Sequence, residues 1–241
     1  MKIFAHRGCS GQYPENTMLA FRKAIEVGAS GIELDVQMSK DGELVVIHDE
    51  RIDRTTDRLG YVKDMTYKEL RNADAGSWFH PSFHNERIPH LEEVLDLLLE
   101  DQSGMTLNIE LKNDVFDYPG LEEKVMLLAE DKKLASRIIL SSFNKASVSK
   151  MKQLNKTFEI AWLFEGVEPN AAAIAEELGC DSIHCPAEFS LSAPGLDYMN
   201  NGGTLRVYTI NDLGSYQSLI HTKVSAVMTD FPDLLLGRIE D

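Results

Sequence analysis

Residues 31–49 read GIELDVQMSKDGELVVIHD. From Ile32 to Val36, Glu33 and Asp35 alternate with apolar residues. In a β-strand successive side chains point to opposite faces, so both carboxylates share one face and Leu34 takes the other. A face carrying two acids is not ordinary core. The Asp41-Gly42 pair that follows is a strong hairpin signal, because a type I′ turn needs positive φ at both central positions. With these two as the loop, Lys40 faces Glu43, Val36 faces Ile47 and Asp35 faces His48. Directly opposed residues share a face, so the stretch is expected to bring two carboxylates and an imidazole together.

Outward from this hairpin, short apolar runs alternate with helical patterns. The runs are Ile3 to His6, Gly31 to Val36, Thr106 to Lys112, Arg137 to Phe143, Glu159 to Phe164, Asp181 to Cys185, Thr204 to Ile210 and Ser225 to Thr229. Helical periodicity covers Thr17 to Val27, with Asn16 as a cap and Gly28 as a stop, then His90 to Glu100, Leu121 to Leu134, Asn144 to Leu154, Ala171 to Leu178 and Leu213 to His221. Pro232 opens a last helix through Ile239. The segment from Pro186 to Gly203 has no clean period, and no helix is placed there. Eight strand-like runs, nearly all followed by a helix, predict a TIM (β/α)8 barrel in a chain of 241 residues. A doubly wound open sheet is the alternative, since strand order is invisible in the pattern. Polar residues collect at the C-terminal ends of several runs, where barrels carry their catalytic groups.

The hairpin and residues 50–89 interrupt the repeat. Their Tyr61, Trp78, Phe79 and Phe83 predict a packed insertion over the barrel mouth, within a single domain spanning 1–241. No low-complexity tract, internal repeat or linker is present. The net charge of -15, from 24 Lys and Arg against 39 Asp and Glu, disfavours nucleic acid and anionic membranes as partners. Any phosphate chemistry must then sit in a local basic pocket. Cys9, Cys180 and Cys185 are odd in number and lack zinc-like spacing, which suits a reducing compartment. No run reaches the roughly 18 apolar residues of a membrane span, and Met1 leads into a strand-like stretch instead of a signal peptide. A cytoplasmic protein is expected.

The strand ends carry the chemistry. The first ends in His6-Arg7-Gly8, the second bears Glu33 and Asp35, the third bears Glu110 and Lys112 on one face, and the seventh leads into Tyr208 and Asn211. Carboxylates within ~5 Å of each other repel by about 3 kcal/mol per pair at an effective dielectric of about 20. Three converging acids must therefore be protonated or hold a cation. All-oxygen ligation selects a hard divalent ion, Mg²⁺ or Ca²⁺. Such an ion flanked by His6, His48, Arg7 and Lys112 suits a phosphorus centre: the cations neutralise charge and the imidazoles, titrating near neutrality, move protons.

These residues lie in a longer joint pattern. HRG, PENT (Pro14 to Thr17), the 31–49 stretch, DRTT (Asp53 to Thr56), NIELK (Asn108 to Lys112) and TDFP (Thr229 to Pro232) run in order along the whole chain, which resembles the glycerophosphodiester phosphodiesterase family. The resemblance implies a metal-dependent TIM-barrel hydrolase cutting glycerophosphodiesters to sn-glycerol 3-phosphate and an alcohol. By the same resemblance the metal carboxylates are Glu33, Asp35 and Glu110, the catalytic pair His6 and His48, and the phosphate contacts Arg7 and Lys112. The aromatic walls for substrate fall on Phe143 and Tyr208. Two departures stand out: Tyr208 in YTIN replaces a frequent tryptophan, and Pro89-His90-Leu91 replaces Pro-Thr-Leu.

Blander readings suit the remaining candidates. His80 and His84 have zinc-pair spacing but no third ligand, and are read as solvent-facing, while His184 and His221 are read as structural. Asn16 is read as a cap and not a substrate ligand. The nucleophile is either water or the substrate's own glycerol 2-hydroxyl. Two other functional classes are a lysophospholipase D-type lipid phosphodiesterase and a non-catalytic glycerophosphate-binding barrel. Headgroup, ion identity, the division of acid and base between the histidines and the oligomeric state are not encoded in these patterns.

Overall fold

The computed structural model describes residues 1–154 and 156–237. Nine strands form one sheet: β1 (Lys2–His6), β2 (Gly31–Met38), β3 (Leu44–Val46), β4 (Thr106–Leu111), β5 (Ile138–Ser142), β6 (Glu159–Leu163), β7 (Ser182–Pro186), β8 (Thr204–Tyr208) and β9 (Ala226–Thr229). All pair in parallel except β3, which lies antiparallel to β2. The order β1-β9-β8-β7-β6-β5-β4-β2 is closed by a β1–β2 pairing. That closure excludes the open sheet: eight parallel strands surrounded by helices make a TIM barrel.

The helices are α1 (Met18–Glu26), α2 (Tyr67–Arg71), α3 (Leu91–Glu100), α4 (Leu121–Asp131), α5 (Lys145–Leu154), α6 (Ala171–Leu178), α7 (Ala187–Ser190), α8 (Ala193–Asn200), α9 (Leu213–Ile220) and α10 (Pro232–Leu236). The predicted end of the last helix, Ile239, lies outside the described residues. The segment after Pro186, where the pattern places no helix, holds α7 and α8. α7 has only four residues, and α8 carries Pro194 and Gly195 in its first turn, so neither shows a clean period. Gly195 inside α8 allows the backbone to approach Phe189, whose carbonyl leaves no room for a Cβ there.

Outward-facing residues of the strands, such as Ile32, Leu34, Val36, Leu107 and Ile109, pack with the apolar faces of the helices into one large cluster. Inside the barrel a smaller apolar plug of Phe4, Ile139, Ala161, Ala226 and Met228 fills the interior. Gly31 makes room for it, since a Cβ there would come within 2.8 Å of the Phe4 ring. Residues 50–89 form a satellite with its own small core of Ile52, Val62, Leu70, Ala75 and Ile88 against Val45 and Ile47. This core is aliphatic. Of the aromatics expected to pack it, Tyr61 and Trp78 are exposed, and Phe79 and Phe83 continue a series of ring contacts from Trp78 toward Tyr13.

The hairpin differs from expectation by one residue. Val36 pairs with Val46, Gln37 with Val45 and Met38 with Leu44, so Val36 does not face Ile47. Only Gly42 takes positive φ (84°), and its N–H donates to the Ser39 carbonyl at 2.9 Å. Asp41 is instead engaged through its side chain, accepting from Ser39 Oγ at 2.6 Å and from the Tyr67 N–H at 2.9 Å. The connection is thus a three-residue loop with a left-handed glycine, the next commonest hairpin solution. A one-residue slip in a continuing strand would turn His48 to the wrong face. The strand does not continue: β3 stops at Val46, and Gln37 Nε2 lies within hydrogen-bond distance of the carbonyls of Ile47 (3.2 Å), His48 (2.9 Å) and Asp49 (2.8 Å). Tyr118 Oη donates to Gln37 Oε1 at 3.0 Å and holds the amide in place. Gln37 bends the chain at the point where His48 leaves the sheet.

Candidate active site

Adjacent strands place the acids by register. β1 and β2 set His6 beside Glu33, and β2 and β4 set Asp35 beside Glu110. Glu33, Asp35 and Glu110 are buried and each offers an oxygen within 4.8 Å of the others. Among the described residues this is the group that could hold a metal ion. Burial pushes Glu33 well above the usual carboxylate range, and Asp35 and Glu110 push it further. Glu110 is raised in the same way, by burial and then by Asp35. Burial acts upward on Asp35 as well, but Arg7, His48 and Lys112 outweigh it and hold its pKa down. Two of the three acids thus want a proton or a cation, and an oxygen-only donor set of this kind fits a hard divalent ion.

The histidines flank this cluster, and each is held by an aspartate. His6 Nδ1 donates to Asp230 Oδ1 at 2.7 Å, leaving Nε2 3.9 Å from Glu33 Oε2. Asp230 also accepts from Ser10 Oγ at 2.9 Å and from Asn211 Nδ2 at 2.6 Å. His48 Nδ1 donates to Asp49 Oδ1 at 2.6 Å, and Asp49 accepts from Arg54 Nε at 2.7 Å. The hydrogen bond from His48, opposed by partial burial and joined by Arg54, drives the Asp49 pKa far down. In both cases the aspartate fixes the Nδ1–H tautomer and leaves Nε2 as the available nitrogen.

Arg7 and Lys112 supply positive charge. Arg7 Nη1 donates to Glu15 Oε1 at 2.8 Å, and its buried Nε lies 3.3 Å from Asp35 Oδ2 without a hydrogen bond. Burial alone would weaken its charge, but Asp35, Glu15 and Glu33 more than compensate. Its backbone has φ 56°, and in that turn its N–H donates to Glu33 Oε2 at 3.0 Å. Lys112 Nζ donates to Glu110 Oε1 at 2.9 Å and sits 5.6 Å from the Phe143 ring centroid. Phe143 meets Tyr208 edge-on at 6.3 Å, and Tyr208 Oη donates to the Phe164 carbonyl at 2.7 Å. His6, Arg7, His48, Glu110, Lys112, Phe143 and Tyr208 all open onto one cavity of about 760 Å³ at the C-terminal mouth of the barrel.

Comparison with known proteins places this arrangement. The sequence profile of the Glycerophosphoryl diester phosphodiesterase family matches residues 6–234. The chain belongs to that family. A glycerophosphodiester phosphodiesterase of Bacillus altitudinis is 40% identical over 249 residues, covering 96% of this chain and 95% of its own. Another, from Caldanaerobacter subterraneus subsp. tengcongensis, is 39% identical over 240 residues, with 98% and 97% covered. Among solved structures, an Oleispira antarctica phosphodiesterase in complex with the product sn-glycerol-3-phosphate matches at TM-score 0.89 and 30% identity, covering 100% of this chain and 97% of that one. The chain is therefore a phosphodiesterase, a hydrolase. Among its described residues no helix is long and apolar enough to cross a membrane.

In this phosphodiesterase all the sequence-predicted acids, histidines, cations and aromatics converge, while several supporting residues escape a reading of the sequence. Asn16 is not the cap of α1: Thr17 is, accepting from the Ala20 N–H, while Asn16 Nδ2 donates to Asp35 Oδ2 at 2.8 Å from a backbone with φ 55°. Non-glycine residues at positive φ are costly and gather at functional sites; here Arg7 and Asn16 both do so around the same acids. Glu15, Asp49 and Arg54 are likewise partners that no local pattern points to, whereas Asn211 and Asp230 are polar residues just past strand ends. His90, the departure in Pro-His-Leu, caps α3, accepting from the Glu92 N–H at 3.1 Å, and so keeps the role a threonine would have. His80 and His84 are exposed and lie outside the acid cluster. His184 is buried and within 3.3 Å of Arg206 Nη1.

Proposed function

We propose that this chain hydrolyses glycerophosphodiesters to sn-glycerol 3-phosphate and an alcohol, using a divalent cation and two histidines. The observation that carries this reading is the cluster of three buried carboxylates within 4.8 Å of one another, flanked by His6 and His48, each with its own aspartate. Glu33, Asp35 and Glu110 would hold Mg²⁺ or Ca²⁺, and the bound ion would supply Lewis-acid stabilisation of charge on phosphoryl oxygen. Arg7 and Lys112 contact the phosphate oxygens, Arg7 through its fork and Lys112 as a point charge. Phe143 and Tyr208 wall the glycerol. Asp114, Lys145, Glu165 and Glu168 line the same cavity beside Trp162, Leu163 and Phe164, and these four charges favour a small polar headgroup over a lipid tail.

In the reaction a new P–O bond forms to the nucleophile as the bond to the leaving alcohol breaks. One imidazole Nε2 takes the proton of the nucleophile and the other gives a proton to the leaving oxygen; with water as nucleophile both histidines end exchanged in charge and re-equilibrate with solvent. The nucleophile is water, or the glycerol 2-hydroxyl, whose cyclic phosphate water then opens with the histidine roles reversed, and detection of a cyclic glycerophosphate during turnover distinguishes the second route. We take residues 50–89 as part of the same domain, completing the mouth around His48. The acidic surface and free cysteines support a cytoplasmic enzyme of small molecules.

The test is release of glycerol 3-phosphate from a panel of headgroups with Mg²⁺ or Ca²⁺, beside Glu33→Ala and His48→Ala. Both variants are expected to lose at least about a hundredfold in kcat. Wild-type rates in either would sink the site assignment.

A further inference from the structure

We propose that Arg54, from the insertion, is a positioning residue that couples the proton carrier His48 to the phosphate contact Arg7. The inference rests on the roles given above to those two residues. Arg54 belongs to the DRTT motif at residues 53–56, which the barrel chemistry leaves without a task.

The Arg54 guanidinium serves two carboxylates at once. Nε and Nη2 donate to Asp49 Oδ2 and Oδ1 at 2.7 and 3.0 Å, while Nη1 and Nη2 donate to Glu15 Oε2 and Oε1 at 2.8 Å each. Asp49 holds His48 Nδ1. Glu15 Oε1 in turn accepts from Arg7 Nη1 at 2.8 Å. The continuous path is His48, Asp49, Arg54, Glu15, Arg7. It joins the loop after β1 to the loop after β3 across the mouth of the barrel.

The Arg54 side chain is 44% exposed, and exposed ion pairs contribute little stability. Its value is geometric. With Arg54 present, Glu15 is neutralised from the insertion side, and the charge of Arg7 remains available to an anion in the cavity. Without it, Arg7 is the remaining cation bonded to Glu15, and a substrate phosphate must compete with that carboxylate. Asp49 would also lose its two anchors and hold the His48 ring less firmly. One lost side chain therefore damages binding and proton transfer separately. Lysine cannot replace it, because an ammonium cannot bridge two carboxylates in a bidentate plane.

The measurement is steady-state hydrolysis of glycerophosphocholine by the full chain with saturating divalent ion. Arg54→Lys and Arg54→Ala are expected to raise KM about tenfold and to lower kcat about 10- to 100-fold, the cost of a misplaced reacting group. Adding Glu15→Gln to Arg54→Ala should bring KM back toward wild type while kcat stays low, because a neutral amide at position 15 no longer claims Arg7 but Asp49 is still unanchored. Imidazole ¹⁵N shifts should report the Nδ1–H tautomer of His48 in wild type and a mixture in Arg54→Ala. Wild-type kinetics in Arg54→Lys, or a KM that Glu15→Gln does not restore, would overturn the coupling. If Arg54→Ala fails to fold in a thermal melt, Arg54→Lys and Arg54→Gln decide the same question. An inactive wild type would instead sink the hydrolase reading, and the ¹⁵N shifts with calorimetric binding of glycerol 3-phosphate would still test the coupling.

Discussion

Replacing Asp230 with asparagine should invert the tautomer of His6 without changing the shape of the site. The outcome is set by Asn211. Its Oδ1 accepts from the Asp230 backbone N–H at 2.9 Å and from Thr229 Oγ1 at 3.2 Å, so its amide group must point at Asp230 Oδ2, 2.6 Å away. An asparagine at position 230 must then turn its carbonyl toward Asn211 and its NH₂ toward His6. His6 Nδ1 becomes an acceptor and the ring proton moves to Nε2, the nitrogen that faces Glu33. Neither proton uptake at Nε2 nor an imidazolium ion is supported in that arrangement. Opposing two donors at this partly buried contact costs about 3–5 kcal/mol when a charge-assisted bond is lost with it. At about 1.36 kcal/mol per tenfold, kcat should fall about 10²- to 10⁴-fold, the range known for a wrong-tautomer substitution elsewhere. KM should change little, since the side chain of Asp230 bonds His6, Ser10 and Asn211 and neither Arg7 nor Lys112. The double variant Asp230→Asn with Asn211→Asp reverses the polarity: the carboxylate introduced at position 211 accepts the new amide at position 230, whose carbonyl again faces His6 Nδ1–H. It should recover at least about tenfold of the lost kcat. An Asp230→Asn enzyme with near-wild-type kcat, or a double variant no better than the single one in equally stable proteins, would refute the assignment of Asp230 as the keeper of His6.

Two further outcomes follow from the acids and the hairpin. Glu33 and Glu110 are raised in the folded chain, so their contribution to stability is complete below an unfolded pKa of about 4.3 and is lost as pH rises through their folded values. Melting temperature in chelator should therefore fall as pH rises above the unfolded carboxylate range of about 4.3, where Asp35, shifted the other way, is ionised in both states and does not compensate; saturating Mg²⁺ or Ca²⁺ should remove the slope, and a rising or flat profile in chelator would contradict the electrostatics. Gln37→Met leaves three carbonyls without their shared donor and should cost about 2–4 kcal/mol in urea unfolding while lowering kcat more than about tenfold through His48; unchanged kcat would show that the bend at His48 has another cause.

The barrel and its acids are legible because both are written in short periods. Alternation of period two puts Glu33 with Asp35 and Glu110 with Lys112, and strand ends gather them once the barrel closes. The hairpin departs by one residue because Asp-Gly suggests a two-residue turn, whereas Asp41 commits its side chain to Ser39 and Tyr67 and only Gly42 turns left-handed. His48 reaches the site all the same, through Gln37 and not through ladder register. Asn16 has the type and position of a cap; its partner Asp35 lies 19 residues away, beyond any local pattern. Asp230 does leave a signal, as a polar residue at the C-terminal end of the last strand, the same criterion that singles out His6.

The residues invisible to local patterns have a common cause. The carboxylates sit on strands, whose geometry the backbone ladder dictates, so their placement needs only parity and register. The two histidines sit at or just beyond strand ends, where the ladder runs out, and each takes its orientation from a carboxylate that is itself held by a third element: Asn211 for Asp230, and Arg54 for Asp49. Those third elements come from the loop after β8 and from the insertion. The insertion therefore does for His48 what the end of the barrel does for His6. Ile52 of its aliphatic core precedes Arg54 in the same loop, so loosening that core should disturb the histidine before it disturbs the three acids.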